Sequence, residues 1–186
     1  MTFSFHRGSL ALDFAGTLGS HISDAPEERI PDADALSAWL REAGLVGDAA
    51  PTAQELGQAR KLRGAIHQLG DAIVAGRPLG ARSLATLNET AAGIRLGAPR
   101  LDRARARRWD TDSPVALALA RVATDAIERF AADAERLTRC ELPGCGALLL
   151  SRSRSDRRRW CSMELCGNRA KVAAYRSRQR KAARRG

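Results

Sequence analysis

Apolar residues recur at helical spacing through most of the first 137 positions. Between Asp32 and Gly44, the residues Ala35, Leu36, Trp39 and Leu40 share one face, and Gly44 marks a stop. Thr52 and Glu55 form a capping-box signature. Behind them Leu56, Ala59, Leu62, Ile66, Leu69 and Ile73 repeat every three or four residues until Gly76-Arg77-Pro78. Leu84, Leu87 and Ala91 predict a third, shorter helix that ends near Gly93. Ser113-Pro114 opens a fourth, with Ser as cap and Pro in the first turn. Its apolar face runs through Val115, Leu119, Val122, Ala126, Phe130 and Leu137. This last helix reads as continuing through Arg139 straight into Cys140, a rigid junction able to couple the two halves of the chain.

Other segments carry a weaker pattern. Phe3 to Thr17 fits either a strand, with Leu10, Leu12 and Phe14 alternating, or a short buried helix. A Gly-, Pro- and acid-rich loop covers roughly 19–31. The polar stretch from Arg95 to Asp112 is compatible with a hairpin, although its strand signal is poor. The expected fold is mainly α (α+β), with a helical N-terminal domain over 1–137 and a small C-terminal module over 138–186.

That module holds all four cysteines of the chain, Cys140, Cys145, Cys161 and Cys166. The spacing C-x4-C-x15-C-x4-C supplies two close pairs, as a structural Zn2+ site requires. Four thiolates leave no open coordination position, which argues against a catalytic zinc. Two disulfides would need an oxidising compartment, for which the sequence gives no sign. Pro143, Gly144 and Gly146 provide the turn that aims both sulfurs of the first pair inward. Ala147–Leu150 reads as a strand, 153–156 as a turn and Arg157–Trp160 as the returning strand. A helix follows from Asn168, its expected cap, with Val172 and Tyr175 packing on the finger. Knuckle, hairpin and helix in that order make a treble-clef-like zinc finger.

Charge sharpens this picture. The net charge is +10, and residues 140–186 contain 13 Lys and Arg against 3 Asp and Glu, so the first 139 residues balance to zero. A neutral body with a cationic tail has its electrostatic address in one place. Arg157, Arg158 and Arg159 on the finger, with Arg169, Lys171, Arg176, Arg178 and Arg180 on the exit helix, are the candidate nucleic-acid contacts. Arginine, which dominates the tail, suits bidentate contact with phosphate or guanine. The helix lacks the large apolar side of a membrane-surface segment. No stretch is long enough to span a bilayer, and no signal-peptide pattern opens the chain, so it reads as cytoplasmic.

Chemistry in the body is sparse. Asp13 and Thr17 are polar positions in an apolar segment and could line a small-molecule pocket; equally, Asp13 could cap a helix or accept backbone hydrogen bonds. His6, His21 and His67 are scattered. There is no nucleophile elbow, phosphate-binding glycine loop or HExxH pair, and nothing argues for an enzyme.

The string Arg158-Arg159-Trp160-Cys161-Ser162-Met163, with Cys166-Gly167-Asn168-Arg169 and Lys171, resembles the CGNR zinc-finger signature. His6-Arg7-Gly8, the segment Leu10 to Thr17 and Leu87-Asn88 resemble the ABATE domain that commonly precedes that finger, a domain described as a stress-induced transcriptional regulator. Two positions depart from the family pattern: Gly16 stands where the family has Asn, and Leu149-Leu150-Ser151 where it has Phe-x-Asp. The resemblance implies a DNA-binding transcription regulator whose N-terminal domain senses an effector or forms a homodimer. An RNA-binding finger protein is the alternative, and a small-molecule enzyme with a recruiting finger a more distant one.

Overall fold

The computed structural model describes residues 3–47, 49–151, 153, 155 and 157–183, with side chains to residue 180. Five helices build the body: α1 (Leu10–Ala15), α2 (Ala33–Glu42), α3 (Ala53–Val74), α4 (Ala81–Ala92) and α5 (Pro114–Ala132). The ambiguous opening segment is therefore helical, and Ser9 caps it by accepting from the Leu12 N–H. Asp32 caps α2 in the same way. At the start of α3 both halves of the capping box form: Thr52 accepts from the Glu55 N–H, and Glu55 accepts from the Thr52 N–H at 2.7 Å. Ser113 precedes α5 but makes no side-chain cap, contrary to expectation; Pro114 alone supplies the helical start.

The apolar stripes meet in one core. Trp39 of α2 is fully buried, with Phe14 of α1 at 4.9 Å between ring centroids. Leu62, Ile66 and Leu69 of α3, Leu87 of α4 and Leu119 and Val122 of α5 close around it. Each such side chain stabilises the fold by about 1.5–3 kcal/mol through removal of apolar area from water. A buried polar tie orients the smallest helix, the Ala11 N–H donating to Asp125 of α5 at 2.8 Å.

Three two-stranded antiparallel ribbons complete the fold. β1 (Leu18–Gly19) pairs with β2 (Glu27–Glu28), and β3 (Ala98–Leu101) with β4 (Arg107–Asp110), which is the hairpin anticipated in the polar stretch. β5 (Leu137–Arg139) pairs with β6 (Leu148–Leu150), opposing Leu137 to Leu150 and Arg139 to Leu148.

This last ribbon corrects two expectations. First, no continuous helix enters Cys140. α5 ends at Ala132, where Asp133 accepts from Arg129 and Arg136, both at 2.7 Å, and a single 3-10 turn leads into β5. Second, β6 finds its partner before the first cysteine pair, and among the described residues no strand forms over 157–160. The segment still lies alongside, the Glu141 N–H donating to the Arg159 carbonyl. Part of the turn expected at 153–156 lies outside the described residues.

Strand alternation explains why three consecutive leucines occupy β6. Leu148 and Leu150 face the body, where they pack with Leu12 and Leu137, while Leu149 faces the cysteines. The ribbon is thus apolar on both sides and welds finger to body.

Candidate metal centre and basic surface

The hairpin β5–β6 carries the first cysteine pair in its loop. The Cys140 N–H donates to the Ala147 carbonyl at 2.8 Å, closing the ribbon at the point where the chain turns. Gly144 and Gly146 have φ of 80° and 65°, left-handed values that a side chain would strain. A π-helical turn, Met163–Gly167, then delivers Cys166 and leads into α6 (Asn168–Ala183). Ser162 caps that turn by accepting from the Leu165 N–H. Asn168, the expected cap, instead donates from its side chain to the Glu164 carbonyl at 3.0 Å.

The four sulfurs all lie within 4.8 Å of one another. Cys145 Sγ is 3.7 Å from both Cys161 Sγ and Cys166 Sγ, and the last two are 3.2 Å apart. A Zn–S bond of about 2.3 Å implies tetrahedral edges of about 3.8 Å, so the donor set fits zinc in number, softness and spacing. Thiols this close compete for ionisation. Hydrogen bonds with Cys140 and Cys145 push the Cys161 thiol up, and burial pushes Cys166 up to about 11. Hydrogen bonds from Cys145 and Cys161 hold Cys140 low, at about 2. A divalent cation ends that competition, because all four sulfurs ligate as thiolates. Cys140, Cys161 and Cys166 are buried, as a closed structural site requires.

The eight predicted basic contacts separate into two groups. Arg158 is an internal strut: its guanidinium donates to the His6 carbonyl at 2.7 Å and to the Cys161 carbonyl at 3.2 Å. Arg159 is exposed, but it pairs with Glu141 at 2.7 Å and lies over the Trp160 ring at 4.9 Å. Arg157, Arg169, Lys171, Arg176, Arg178 and Arg180 are exposed. Every residue of α6 from Lys171 to Arg180 is exposed, including Val172 (48%) and Tyr175 (57%), so the expected packing of those two on the finger does not occur. Around the helix, Val172, Tyr175 and Gln179 form a narrow stripe at i, i+3 and i+7. Arg169, Arg176 and Arg180 flank it on one side, Lys171 and Arg178 on the other. Among the described residues none of these five cations forms an ion pair.

Asp13 and Thr17 are both buried and engaged inside the body. Asp13 accepts the Arg7 N–H at 2.8 Å, and burial raises its carboxyl to about 6. Thr17 donates to the Phe14 carbonyl at 2.7 Å and accepts from Arg63 at 3.0 Å, while Arg63 clasps Glu28. The residues beside them, Arg7 and Gly16, line a cavity between body and finger. Sequence reading took Arg7 only as part of the His6-Arg7-Gly8 resemblance and not as a site residue. At Gly16 a Cβ would meet the Arg7 guanidinium, so a larger residue there would displace that side chain.

Fold and site together define a zinc-binding protein in which a four-cysteine finger with a basic helix is fused to a helical body. Residues 8–133 match the family model of ABATE, described as "Putative stress-induced transcription regulator", and residues 136–179 match that of the CGNR zinc finger. The first match covers more than half of the chain, which therefore belongs to the ABATE family and carries a CGNR zinc finger. No curated protein matches it. Among the described residues no helix is long and apolar enough to cross a membrane.

Proposed function

We propose that this protein is a DNA-binding transcription regulator whose finger and α6 grip duplex phosphates while the body senses an effector or dimerises. The observation that carries the reading is α6 itself. It is a basic helix with no packed face from Lys171 to Arg180, projecting from a metal-ordered core. A helix exposed all round gains little by folding alone, whereas one lying along a phosphate backbone releases condensed counterions for each cation placed. Arg157, Arg169, Lys171, Arg176, Arg178 and Arg180 are free for that role; Arg158 holds the finger to the body, and Arg159 must first release Glu141. The family descriptions support regulation, and a charge-neutral body supports a separate sensing or dimerising half. A dimer would enlarge a contact area that one small finger leaves limited.

The test is fluorescence anisotropy of the zinc-loaded full chain with labelled duplex DNA and RNA over a salt series. The expected log–log slope on DNA is about −4 to −7, or roughly five to eight phosphate contacts. The triple variant Arg176→Gln, Arg178→Gln, Arg180→Gln should flatten that slope by about 2–3. Preference for RNA over duplex DNA would move the reading to the RNA-binding alternative, and no binding above background to either would end it.

A further inference from the structure

Arg7 is 7% exposed, yet among the described residues its guanidinium makes no side-chain hydrogen bond or ion pair, and its buried Nε has no partner. The buried Asp13 carboxylate attracts Arg7 without a side-chain hydrogen bond to it, and a guanidinium buried with a donor unmet is costly. Arg7 lines a cavity of about 110 Å³ between body and finger. Arg29 and Arg169 line the same space. The one carboxylate there, Glu27, is already bound twice by Arg29, at 2.9 and 3.2 Å. The zinc loops form part of the wall, through Ser162 and three of the four zinc ligands, Cys145, Cys161 and Cys166.

From this geometry we infer a binding site for a small oxyanion, held by Arg7 between the body and the zinc finger. A guanidinium presents parallel N–H donors that match a carboxylate or phosphate edge. The volume lies below the range of about 300–1,000 Å³ that drug-sized ligands occupy, which restricts the occupant to a small molecule or a single anionic group. Asp13 sets the strand of backbone that carries Arg7 by accepting its N–H, and Gly16 provides the missing side chain that lets the guanidinium lie flat. The site gives the sensing half of the proposed function a chemistry, resting on that reading for its purpose. An occupant there touches elements of both halves, so it would bias how the finger sits on the body.

The experiment needs no nucleic acid, so its outcome is separate from that of DNA binding. The zinc-loaded full chain, in Tris-chloride buffer at constant ionic strength, is titrated with inorganic phosphate and with acetate. Thermal midpoint and calorimetric heat are followed. A saturable rise from either anion is expected, and the one that acts says whether the occupant carries phosphate or carboxylate. Arg7→Met should abolish the response, its midpoint without anion reporting whether the chain still folds. Gly16→Ala keeps Arg7 but crowds it, and should weaken binding at least tenfold; it decides the matter if Arg7→Met does not fold. The Arg176→Gln, Arg178→Gln, Arg180→Gln chain should respond like the parent. No saturable response, or an equal one in both Arg7→Met and Gly16→Ala, would overturn the site. So would Arg7→Met lowering zinc affinity with neither anion acting on the parent, since Arg7 would then be the counter-charge of the thiolate cluster.

Discussion

Arg139 donates to the Asp71 carboxylate at 2.5 Å, joining the residue before the first zinc ligand to the long helix α3 of the body. The other Asp71 oxygen holds His21 at 3.2 Å, and the His21 ring stacks on that of His67 at 3.8 Å. Asp71 thus anchors both the finger and the loop that leads to β2. Its carboxyl is kept below the usual range against burial, which pushes the other way, by His21 and Arg139. Asp71→Asn should therefore cost about 1 kcal/mol, a value kept small because the pair is partly solvated. Urea unfolding of the two proteins would measure it, and equal midpoints would show the anchor to be idle.

Two glycines of α3 should respond in opposite directions to the same change. At Gly64 an added Cβ meets nothing within 4 Å, so Gly64→Ala should stabilise by about 1 kcal/mol through helix propensity. At Gly70 the Cβ would sit 2.4 Å from Leu148 Cδ1, on the face where β6 lies. Overpacking there costs about 1–3 kcal/mol and outweighs the propensity gain. Gly70→Ala should thus lower the thermal midpoint that Gly64→Ala raises. Stabilisation by both would mean that β6 does not rest on α3.

How far the sequence revealed this architecture depends on the length of each signal. α2, α3, α4 and α5 were legible because each repeats an apolar face at helical spacing within a helix of ten or more residues. Four cysteines in two matched pairs made the zinc site legible in the same way. The β5–β6 pairing was not. Leu137-Thr138-Arg139 is too short to show a period of two, and Ala134-Glu135-Arg136 before it consists of helix formers. Asp133 decides the matter through two arginine contacts, which tertiary structure alone displays. Arg7 was hidden for a related reason: the groups around it come from α1, α3 and the finger, far apart in the chain.

Acid should act on the body through two opposed groups. Burial, helped by the nearby His21, lowers His67 to about 3 from an ordinary value near 6.5. Below pH 6.5 the unfolded chain takes up a proton that the folded one refuses, so stability falls as pH drops from 6.5 towards 3. Asp13 is raised to about 6, chiefly by burial, from about 3.9. Its ionisation penalises the fold as pH rises through that window, so acidification returns stability. From pH 7 to pH 5 the first effect costs about 2 kcal/mol and the second restores about 1. With zinc in excess, Asp13→Asn should expose the full His67 loss, while His67→Gln should gain stability over the same interval. Parallel pH profiles for the two variants would contradict the assignment.

Zinc removal should unfold more than the finger. A module attached by a flexible linker would lose its structure alone and leave the body intact. Here Leu148 and Leu150 are buried against the body with Leu12, the Leu150 N–H donates to the Arg7 carbonyl at 2.9 Å, and Arg158 grips the His6 carbonyl. Metal binding to the folded state alone stabilises everything that unfolds with the site. Cys161→Ser, or chelation of the native chain, should therefore lower the thermal midpoint of the whole chain in one transition. Far-UV circular dichroism, dominated by the body's helices, should coincide with the fluorescence of Trp160 in a chain whose Trp39 and Trp109 are replaced by Phe. Two separated transitions, with only the lower one sensitive to metal, would show that the ribbon does not couple the halves. The proposed effector site between them would then have no mechanical route to the proposed DNA-binding surface.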